Sequence, residues 1–437
     1  MTLTSRWGSS WAEVLDAARP ATQGRLSGVV GLSLHADGVS AAIGDVVHVE
    51  TPGLPVLAEV VAVREAGLAC MPLGDIAGVR AGALVTPTGG PMVIPVGRSL
   101  LGRVLDGLGR PMDDLGPLDD VRSVTVDGTS PHPLRRARID EQLSLGVRAL
   151  DALVPCGRGQ RLGVFAGSGV GKSSLLSMIA RGTEAEVSVI ALIGERGREV
   201  REFIENDLGP EGLARSVVVV ATSDEPPLVR LRAAFVATRI AEWFRDEGAH
   251  VVLMMDSLTR FAMAQREVGL SVGEPPATRG YPPSVFALLP KLLERAGAAE
   301  SGSITGLYTV LVEGDDMNEP IADAARSILD GHVVLTRRLA TSGHFPSIDV
   351  LESISRVTGA ITTSQQREDA IALRRMMAAH RDARELIEIG AYAPGSNPLV
   401  DSALRLQSRI DAFLRQDIMA ITPAAQAWSW LHDLVAA

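Results

Sequence analysis

The chain contains 437 residues, of which 46% are apolar and 22% charged, and 42 basic residues against 52 acidic ones give a formal net charge of −10. These proportions are those of a folded protein and exclude a wholly disordered chain. The acidic balance argues against nucleic acid as a partner, because nucleic-acid binding depends on basic surface. Only two cysteines are present, which excludes a disulfide scaffold and fits a reducing cytoplasm.

The first 95 residues predict a short helix followed by a β-rich domain. Residues 1–22 are predicted to form the N-terminal helix, with Trp7 and Trp11 at helical spacing. Residues 23–95 contain short β-branched runs separated by glycine, proline and aspartate turns, which predict a small β-barrel or sandwich. The predicted strands are 28–34, 45–50, 57–64, 67–71 and 83–87.

From residue 157 onward the pattern alternates between apolar strands and helices, which indicates βαβ units and a parallel sheet buried on both faces. Residues 113–138 are rich in proline, aspartate and glycine and predict an extended connection. Residues 364–437 are predicted to be mostly helical. The expected strands of the sheet are 161–166, 186–193, 216–222 and 249–256.

The most specific motif is AGSGVGKS at 166–173, between a predicted strand and a predicted helix. Its glycines let backbone N–H groups surround phosphate oxygens at a helix start, while Lys172 reaches the outer phosphates and Ser173 ligates Mg²⁺. Ala166 replaces the usual first glycine, which a strand-end residue with negative φ tolerates. The alternative is a glycine-rich turn that caps a helix, but of 42 basic residues only Lys172 and Lys291 are lysine. We therefore predict a nucleotide-phosphate site.

Three further charged residues are candidates for the same site. Asp256 ends an apolar strand and is expected to organise Mg²⁺, with a helix-capping aspartate as the alternative. Glu195 follows another strand and could polarise the attacking water, or else begin a solvated helix. Arg356 could stabilise the transferring phosphoryl group across a subunit boundary, although its sequence context equally fits a surface arginine.

Taken together, six segments resemble the type III export ATPases, which drive protein export for bacterial flagella and injectisomes and are related to the catalytic subunit of rotary ATP synthases. The segments are residues 165–173, 193–200, 255–266, 280–286, 312–323 and 349–356. The resemblance implies an α/β fold: a RecA-like P-loop ATPase core with a parallel sheet (96–363), preceded by a small N-terminal β-barrel (23–95) and followed by a mostly helical C-terminal domain (364–437).

The resemblance also implies roles for individual residues in ATP and Mg²⁺ binding. Glu195 would be the catalytic carboxylate, Arg196 would assist near the γ-phosphate, and Arg356 would be the arginine finger of the neighbouring subunit. Phe345 matches a position that stacks on adenine, and Tyr392 is a candidate for the other face of the base, with a structural helix-end tyrosine as the alternative. Ser173 and Asp256 would hold the metal. The implied phosphate-binding residues are Gly167, Ser168, Gly169, Val170, Gly171, Lys172, Ser173 and Ser174.

The partners implied by the resemblance are other copies of the chain in a homohexamer, a stator-like regulatory protein at the N-terminal helix, and the export gate with chaperone–cargo complexes. The helix at 1–22 could equally pack on its own barrel. We expect a cytoplasmic protein whose membrane contact is peripheral, because no apolar run in the sequence reaches the roughly 18 residues that span a bilayer.

Segments 70–79, 87–91 and 101–111 look more like the flagellar branch than the injectisome branch. A rotary ATPase catalytic subunit and a nucleotide-holding switch without turnover are alternatives. A hexameric RNA helicase is a further one, but Trp7 and Trp11 are the only aromatic residues in 1–95, and this region is not basic.

Overall fold

The computed structural model describes residues 22–65, 67–312, 314 and 316–437. The predicted N-terminal helix with Trp7 and Trp11 lies outside the described residues, apart from its last position. Two compact units are present, one that takes in the chain up to Met92 together with Ser271–Gly273 and one that comprises Val93–Leu270 and Glu274–Ala437. The second unit contains both the expected nucleotide-binding part and the expected helical part, so the boundary at residue 363 stays a prediction.

Six antiparallel strands close the first unit into a barrel, in the order β1-β2-β5-β4-β3-β6. Leu26, Val47 and Val60 are among the buried side chains that fill its interior. The prediction of one strand at 28–34 is wrong, because the chain reverses at Gly31 (φ +58°) and the run is divided between two strands. The strands are β1 (Gly24–Val30), β2 (Ser33–Asp37), β3 (Asp45–Val49), β4 (Val56–Arg64), β5 (Gly67–Pro72) and β6 (Leu84–Pro91).

A mostly parallel sheet forms the centre of the second unit, as the alternating pattern predicts. Its order is β19-β18-β12-β17-β15-β13-β14-β8, with β16 paired to β17, and only the pairs that involve β19 and β16 are antiparallel. The strands of this unit are β7 (Val93–Val96), β8 (Val104–Asp106), β9 (Arg122–Thr125), β10 (Gln142–Leu143), β11 (Cys156–Gly157), β12 (Arg161–Ala166), β13 (Val187–Glu195), β14 (Ser216–Thr222), β15 (His250–Asp256), β16 (Gly297–Ala298), β17 (Ser303–Leu311), β18 (Gly331–Leu335) and β19 (Ile354–Ser355).

Helices connect these strands and form the C-terminal part. They are α1 (Arg148–Leu153), α2 (Lys172–Gly182), α3 (Gly197–Glu202), α4 (Gly209–Ala214), α5 (Pro227–Asp246), α6 (Leu258–Ser271), α7 (Pro283–Leu293), α8 (Pro320–Ile328), α9 (Arg337–Thr341), α10 (Thr358–Ile361), α11 (Ser364–Glu388), α12 (Pro398–Leu414) and α13 (Ala424–Val435), with a π-helical turn at Phe203–Leu208. In the described part of the chain, no helix is both long and apolar enough to cross a membrane.

Local sequence explains where the two long C-terminal helices begin. Thr363 and Gln366 form a capping box at the start of α11, in which each side chain accepts a hydrogen bond from the backbone N–H of the other. The side chain of Asn397 accepts from the N–H of Leu399 at the start of α12. One hydrophobic core joins these helices to the sheet and to α1, with Leu373, Phe413 and Leu431 fully buried in it.

Candidate active site

The glycine-rich loop lies between β12 and α2, at the carboxyl end of the strand. Gly169 (φ +75°) and Gly171 (φ +94°) adopt left-handed backbone that other residues disfavour. The side chain of Val170 is buried in the core, and its carbonyl accepts a hydrogen bond of 2.5 Å from the Ser347 hydroxyl. The buried Val170 side chain and the bond from Ser347 therefore fix the loop, which leads directly into the first N–H groups of an 11-residue helix. A glycine-rich loop at a helix N-terminus is the arrangement that binds phosphate.

Three ionisable side chains converge beside this loop. The Lys172 ammonium, at the start of α2, lies 2.5 Å from Oδ1 of Asp256 and 3.5 Å from Oε1 of Glu195. Asp256 ends β15 and Glu195 ends β13, two neighbouring parallel strands. Because carboxyl ends of parallel strands share one edge of a sheet, strands that are far apart in sequence place these groups together.

Glu195 reaches the site through a bulge at the end of β13. The pairing with β14 shifts register between Ile193 and Glu195, and Gly194 between them has φ +69°. A bulge re-aims the side chain that follows it. A β-carbon on Gly194 would lie 3.1 Å from Cβ of Arg260, so this position requires glycine for space as well as for conformation. The sequence prediction ended this strand at residue 193 and missed the bulge.

Burial and charge set the protonation of the cluster. Burial by itself lowers the pKa of Lys172, but Asp256 and Glu195 outweigh it and the net pKa is raised, so the lysine stays cationic. Burial raises the pKa of Glu195, Lys172 offsets part of that rise, and Asp256 adds to it. Glu195 is thus a stronger base than an ordinary glutamate, which suits a group that accepts or orients a proton of water.

Two residues at the site were missed by the sequence analysis. The Thr309 hydroxyl, on β17, lies 2.8 Å from Oδ1 of Asp256 and holds this carboxylate in place. Arg260 packs its side-chain carbons against Gly194, and its buried Nε has no hydrogen-bond partner among the described residues. A threonine inside an apolar strand was the only signal for the first, and a basic residue four positions after Asp256 was the signal for the second.

Phe345 lies at the other end of the loop, where its ring covers Gly171. A β-carbon on Gly171 would be 3.7 Å from the Phe345 ring, and Phe345 as a residue is 47% exposed. The Phe345–Pro346 peptide bond is cis. The carbonyl of Phe345 accepts a hydrogen bond of 3.0 Å from the N–H of Gln416, which follows α12. An exposed aromatic face next to a phosphate loop is suited to stacking on a base.

The remaining predicted residues lie outside this group. Arg196 is exposed and pairs with Glu199 at 2.7 Å. The Tyr392 hydroxyl lies 3.0 Å from Oδ1 of Asp401, in the first turn of α12, and 3.1 Å from the carbonyl of Asn397, just before that helix. Tyr392 is thus bonded to the start of α12, whereas Gln416 contacts the backbone of Phe345. Ser173 and Ser174 occupy the first turn of α2, where Ser173 is exposed. The roles of these residues stay predictions.

Arg356 lies at the opposite edge of the sheet. Its N–H donates to the carbonyl of Asp330 at 3.0 Å, and Asp330 in turn donates its N–H to Arg161, the first residue of β12. The phosphate loop begins after the last residue of the same strand, and five residues of strand span about 16 Å. Arg356 is exposed, and its guanidinium contacts only the carbonyl of Arg326 among the described hydrogen bonds, at 3.3 Å. It therefore faces away from the site of its own chain.

Comparison with known proteins agrees with this geometry. The model of the ATP synthase alpha/beta family, nucleotide-binding domain, matches residues 146–355, and that of the T3SS EscN ATPase C-terminal domain matches residues 362–433. The flagellum-specific ATP synthase of Bacillus subtilis is 51% identical over 396 residues, which are 90% of this chain and 90% of that protein. That of Pseudomonas aeruginosa is 50% identical over 425 residues, 96% of this chain and 94% of that protein.

The chain belongs to the flagellar and type III secretion ATPase family. The solved structure of the assembled ATPase EscN in complex with its central stalk EscO, from enteropathogenic E. coli, has a TM-score of 0.88 and 44% identity, and covers 94% of this chain and 100% of that one. Family membership confirms the predicted fold and the predicted activity, that of an ATP-hydrolysing P-loop enzyme. The flagellar relatives also confirm the flagellar export ATPase as the main interpretation.

Proposed function

We propose that this chain hydrolyses ATP with Mg²⁺ at sites shared between neighbouring subunits of a homohexamer, and that hydrolysis energises the unfolding and delivery of flagellar export substrates. The observation that carries the proposal is the convergence of Lys172, Glu195 and Asp256 beside the phosphate loop. The lysine Nζ lies 2.5 Å from the Asp256 carboxylate and 3.5 Å from the Glu195 carboxylate. One cation and two carboxylates at this point meet the needs of phosphoryl transfer to water.

The loop supplies the binding half of the reaction. Backbone N–H groups of residues 167–174 would surround the β- and γ-phosphates, and Lys172 would exchange its carboxylate contacts for phosphate oxygens. The Ser173 hydroxyl and the Asp256 carboxylate are hard oxygen donors of the kind that Mg²⁺ prefers, which supports that ion over softer metals. When bound, the ion would neutralise charge on the phosphates.

Glu195 would orient the attacking water and take its proton. Its raised pKa makes it a stronger base than an ordinary glutamate, and the bulge at Gly194 fixes its direction. Arg196 would assist near the γ-phosphate, which requires it to leave Glu199. Phe345 would stack on the adenine, and Tyr392 remains the weaker candidate for the second face of the base.

Arg356 would complete the site of the next subunit. Its position at the opposite sheet edge prevents it from serving its own loop, and it is exposed toward the surroundings of the unit. An arginine supplied in trans stabilises charge on the transferring phosphoryl group. Since each chain carries both a loop and a finger, identical subunits in a closed ring can complete one another.

The names of the relatives, which are flagellum-specific ATP synthases, support the proposed role in flagellar protein export. We place the chain in the cytoplasm, at the inner face of the flagellar export apparatus, with a peripheral contact through partners that include the export gate and chaperone–cargo complexes. EscN is assembled with a central stalk protein, and a corresponding stalk partner is expected here. The N-terminal helix is the proposed site for a stator-like regulator.

The test is a complementation experiment between two inactive variants. Mg²⁺-dependent ATPase rate per subunit should rise with protein concentration for the wild type, and Arg356→Ala should lower it about 1000-fold without loss of ATP binding. Lys172→Ala removes the loop function and keeps the finger. In an equal mixture of the two variants, about a quarter of the sites would pair an intact loop with an intact finger, and a comparable fraction of activity should return.

The matched control is Arg384→Ala, which removes an exposed arginine of α11 that pairs with Glu388. It should leave the ATPase rate unchanged. A low rate that does not depend on concentration, or a mixture that stays inactive while both variants bind ATP and assemble, would contradict the shared site.

A further inference from the structure

We infer that Gln416 is a positioning residue for the nucleotide base, which acts by holding Phe345 in place from the C-terminal helical part of the chain. This inference rests on the proposed stacking of Phe345 on adenine and adds the group that fixes the ring. Gln416 follows α12, is 5% exposed, and lies about 70 residues from Phe345 in sequence, so no local pattern connects the two.

Every hydrogen-bonding group of the Gln416 side chain is used. Its Oε1 accepts from the N–H of Arg148 at 2.9 Å, and its Nε2 donates to the carbonyls of Gly146 and Ala420, both at 2.8 Å. Its backbone N–H then donates to the carbonyl of Phe345 at 3.0 Å. A buried amide with three satisfied bonds has one position, and it transmits that position to the backbone that follows it.

The ring of Phe345 needs such support because packing does not supply it. With 47% of the residue exposed, its side chain lacks the surrounding atoms that fix a core aromatic. Its neighbours are instead tied through the backbone and short polar side chains. The N–H of His344 donates to the carbonyl of Leu339, and the Ser347 hydroxyl donates to Val170 in the phosphate loop. The bond from Gln416 is the one that acts on Phe345 itself.

Arg148 anchors the segment that carries Gln416. Its guanidinium donates to the carbonyls of Ala412, Phe413 and Arg415 at the end of α12, where a cation complements the helix dipole, and it stacks 4.6 Å from the Trp430 ring. The anchor therefore extends from α1 through the end of α12 to the base-stacking ring. A change in how the C-terminal helices sit on α1 would move Phe345 through Gln416.

The test compares binding of ADP with binding of pyrophosphate, which occupies the phosphate loop without a base. In Gln416→Leu, affinity for ADP should fall about tenfold while affinity for pyrophosphate stays unchanged, and the ATPase should show a raised KM with nearly unchanged kcat. Gln416→Met keeps the length of the side chain and removes all of its hydrogen bonds to Arg148, Gly146 and Ala420, and should show a loss in the same direction. This second variant answers the question if the first does not fold.

A double-mutant cycle shows whether Gln416 acts through Phe345. Phe345→Ala should by itself lower the affinity for ADP. Adding Gln416→Leu should lower that affinity little further, because the ring that Gln416 positions is then absent. The control is Gln407→Leu, which removes a glutamine of α12 bonded to Asp411 at 3.1 Å and should leave both affinities unchanged.

The possible failures are distinguishable. If Phe345→Ala binds ADP as the wild type does, the proposed stacking is wrong. Two results would support the stacking of Phe345 and contradict the positioning role of Gln416. In the first, Phe345→Ala lowers the affinity for ADP and Gln416→Leu does not. In the second, Gln416→Leu lowers the affinities for ADP and for pyrophosphate equally.

Discussion

At the scale of single residues, Glu195 and Asp256 are two carboxylates beside one lysine, and their surroundings separate their tasks. Asp256 is nearly fully buried and is held by both Thr309 and Lys172. Glu195 keeps more exposure and has the longer contact to the lysine. The tightly held group is suited to organising a metal, and the looser group is suited to exchanging a proton with water.

We predict that Glu195→Gln abolishes turnover and preserves nucleotide binding. The amide cannot accept the proton of the attacking water, so kcat should fall at least about 100-fold, while a fluorescent ATP analogue binds with affinity near that of the wild type. The measurements are steady-state ATPase and equilibrium binding.

The control for this variant is Glu202→Gln on α3, an exposed carboxylate that pairs with Arg198. It should retain the wild-type rate. Retention of most of the rate by Glu195→Gln would instead favour the alternative in which nucleotide acts as a structural switch.

At the scale of elements, the bulge that ends β13 connects backbone conformation to chemistry. Gly194→Ala places a β-carbon in left-handed backbone and against Arg260, which should lower the free energy of unfolding by about 1–2 kcal/mol and displace Glu195. We expect a loss of kcat that exceeds any change in KM. Chemical unfolding and steady-state kinetics measure the two effects.

Gly197→Ala is the matched substitution, three residues further along the chain. It lies at the first position of α3 without a positive φ, and a β-carbon there meets nothing within 4 Å. Stability and rate should both be close to those of the wild type. Equal effects of the two substitutions would show that the bulge is not the cause.

At the scale of the whole molecule, the fold places two sets of groups proposed for one reaction at opposite edges of a sheet. The phosphate loop, Glu195 and Asp256 lie at the carboxyl edge, and Arg356 lies near the start of β12. A single copy cannot bring them together without breaking the sheet. Activity is therefore expected to be a property of the assembly, and concentration is the variable that reveals it.

Stability of the second unit should also depend on one buried carboxylate. Asp151 on α1 is fully buried and accepts hydrogen bonds from the backbone of Leu145 and Gly146 and from Ser144, yet burial raises its pKa to about 7. A raised folded pKa means that the folded state holds this proton more tightly than the unfolded one. The resulting stabilisation is present below about pH 4 and is lost as pH rises through 7.

We predict that Asp151→Asn becomes relatively more favourable as pH rises. The difference in thermal midpoint, variant minus wild type, should be more positive at pH 8.5 than at pH 5.5, because the amide has no charge to bury. Asp433→Asn, an exposed residue of α13, should show the same difference at both pH values. A difference for Asp151→Asn that does not change with pH would contradict the raised pKa.

Features that depend on local pattern could be predicted before the fold was known. The phosphate loop, the apolar strands with helices between them, and the mostly helical character of residues 364–437 were all predictable, since glycine spacing and apolar periodicity are features of consecutive positions. The resemblance to the export ATPases supplied the expected roles of individual residues in the motifs. The prediction of one strand at 28–34 failed because the turn lies at Gly31 inside an otherwise apolar run, and a single glycine there fits a continuous strand as well as a turn.

Contacts between residues that are distant in sequence are seen only in the folded chain. The Thr309 hydroxyl contacts Asp256, the N–H of Gln416 contacts Phe345, Arg356 lies at the far edge of the sheet, and Tyr392 is bonded to Asp401 in the first turn of α12. Most of these contacts join residues of different strands or helices, and the order of the strands and the packing of the helices bring them together. Short-range periodicity contains no information on strand order, so the parts of the site could be predicted from the sequence and their arrangement could not.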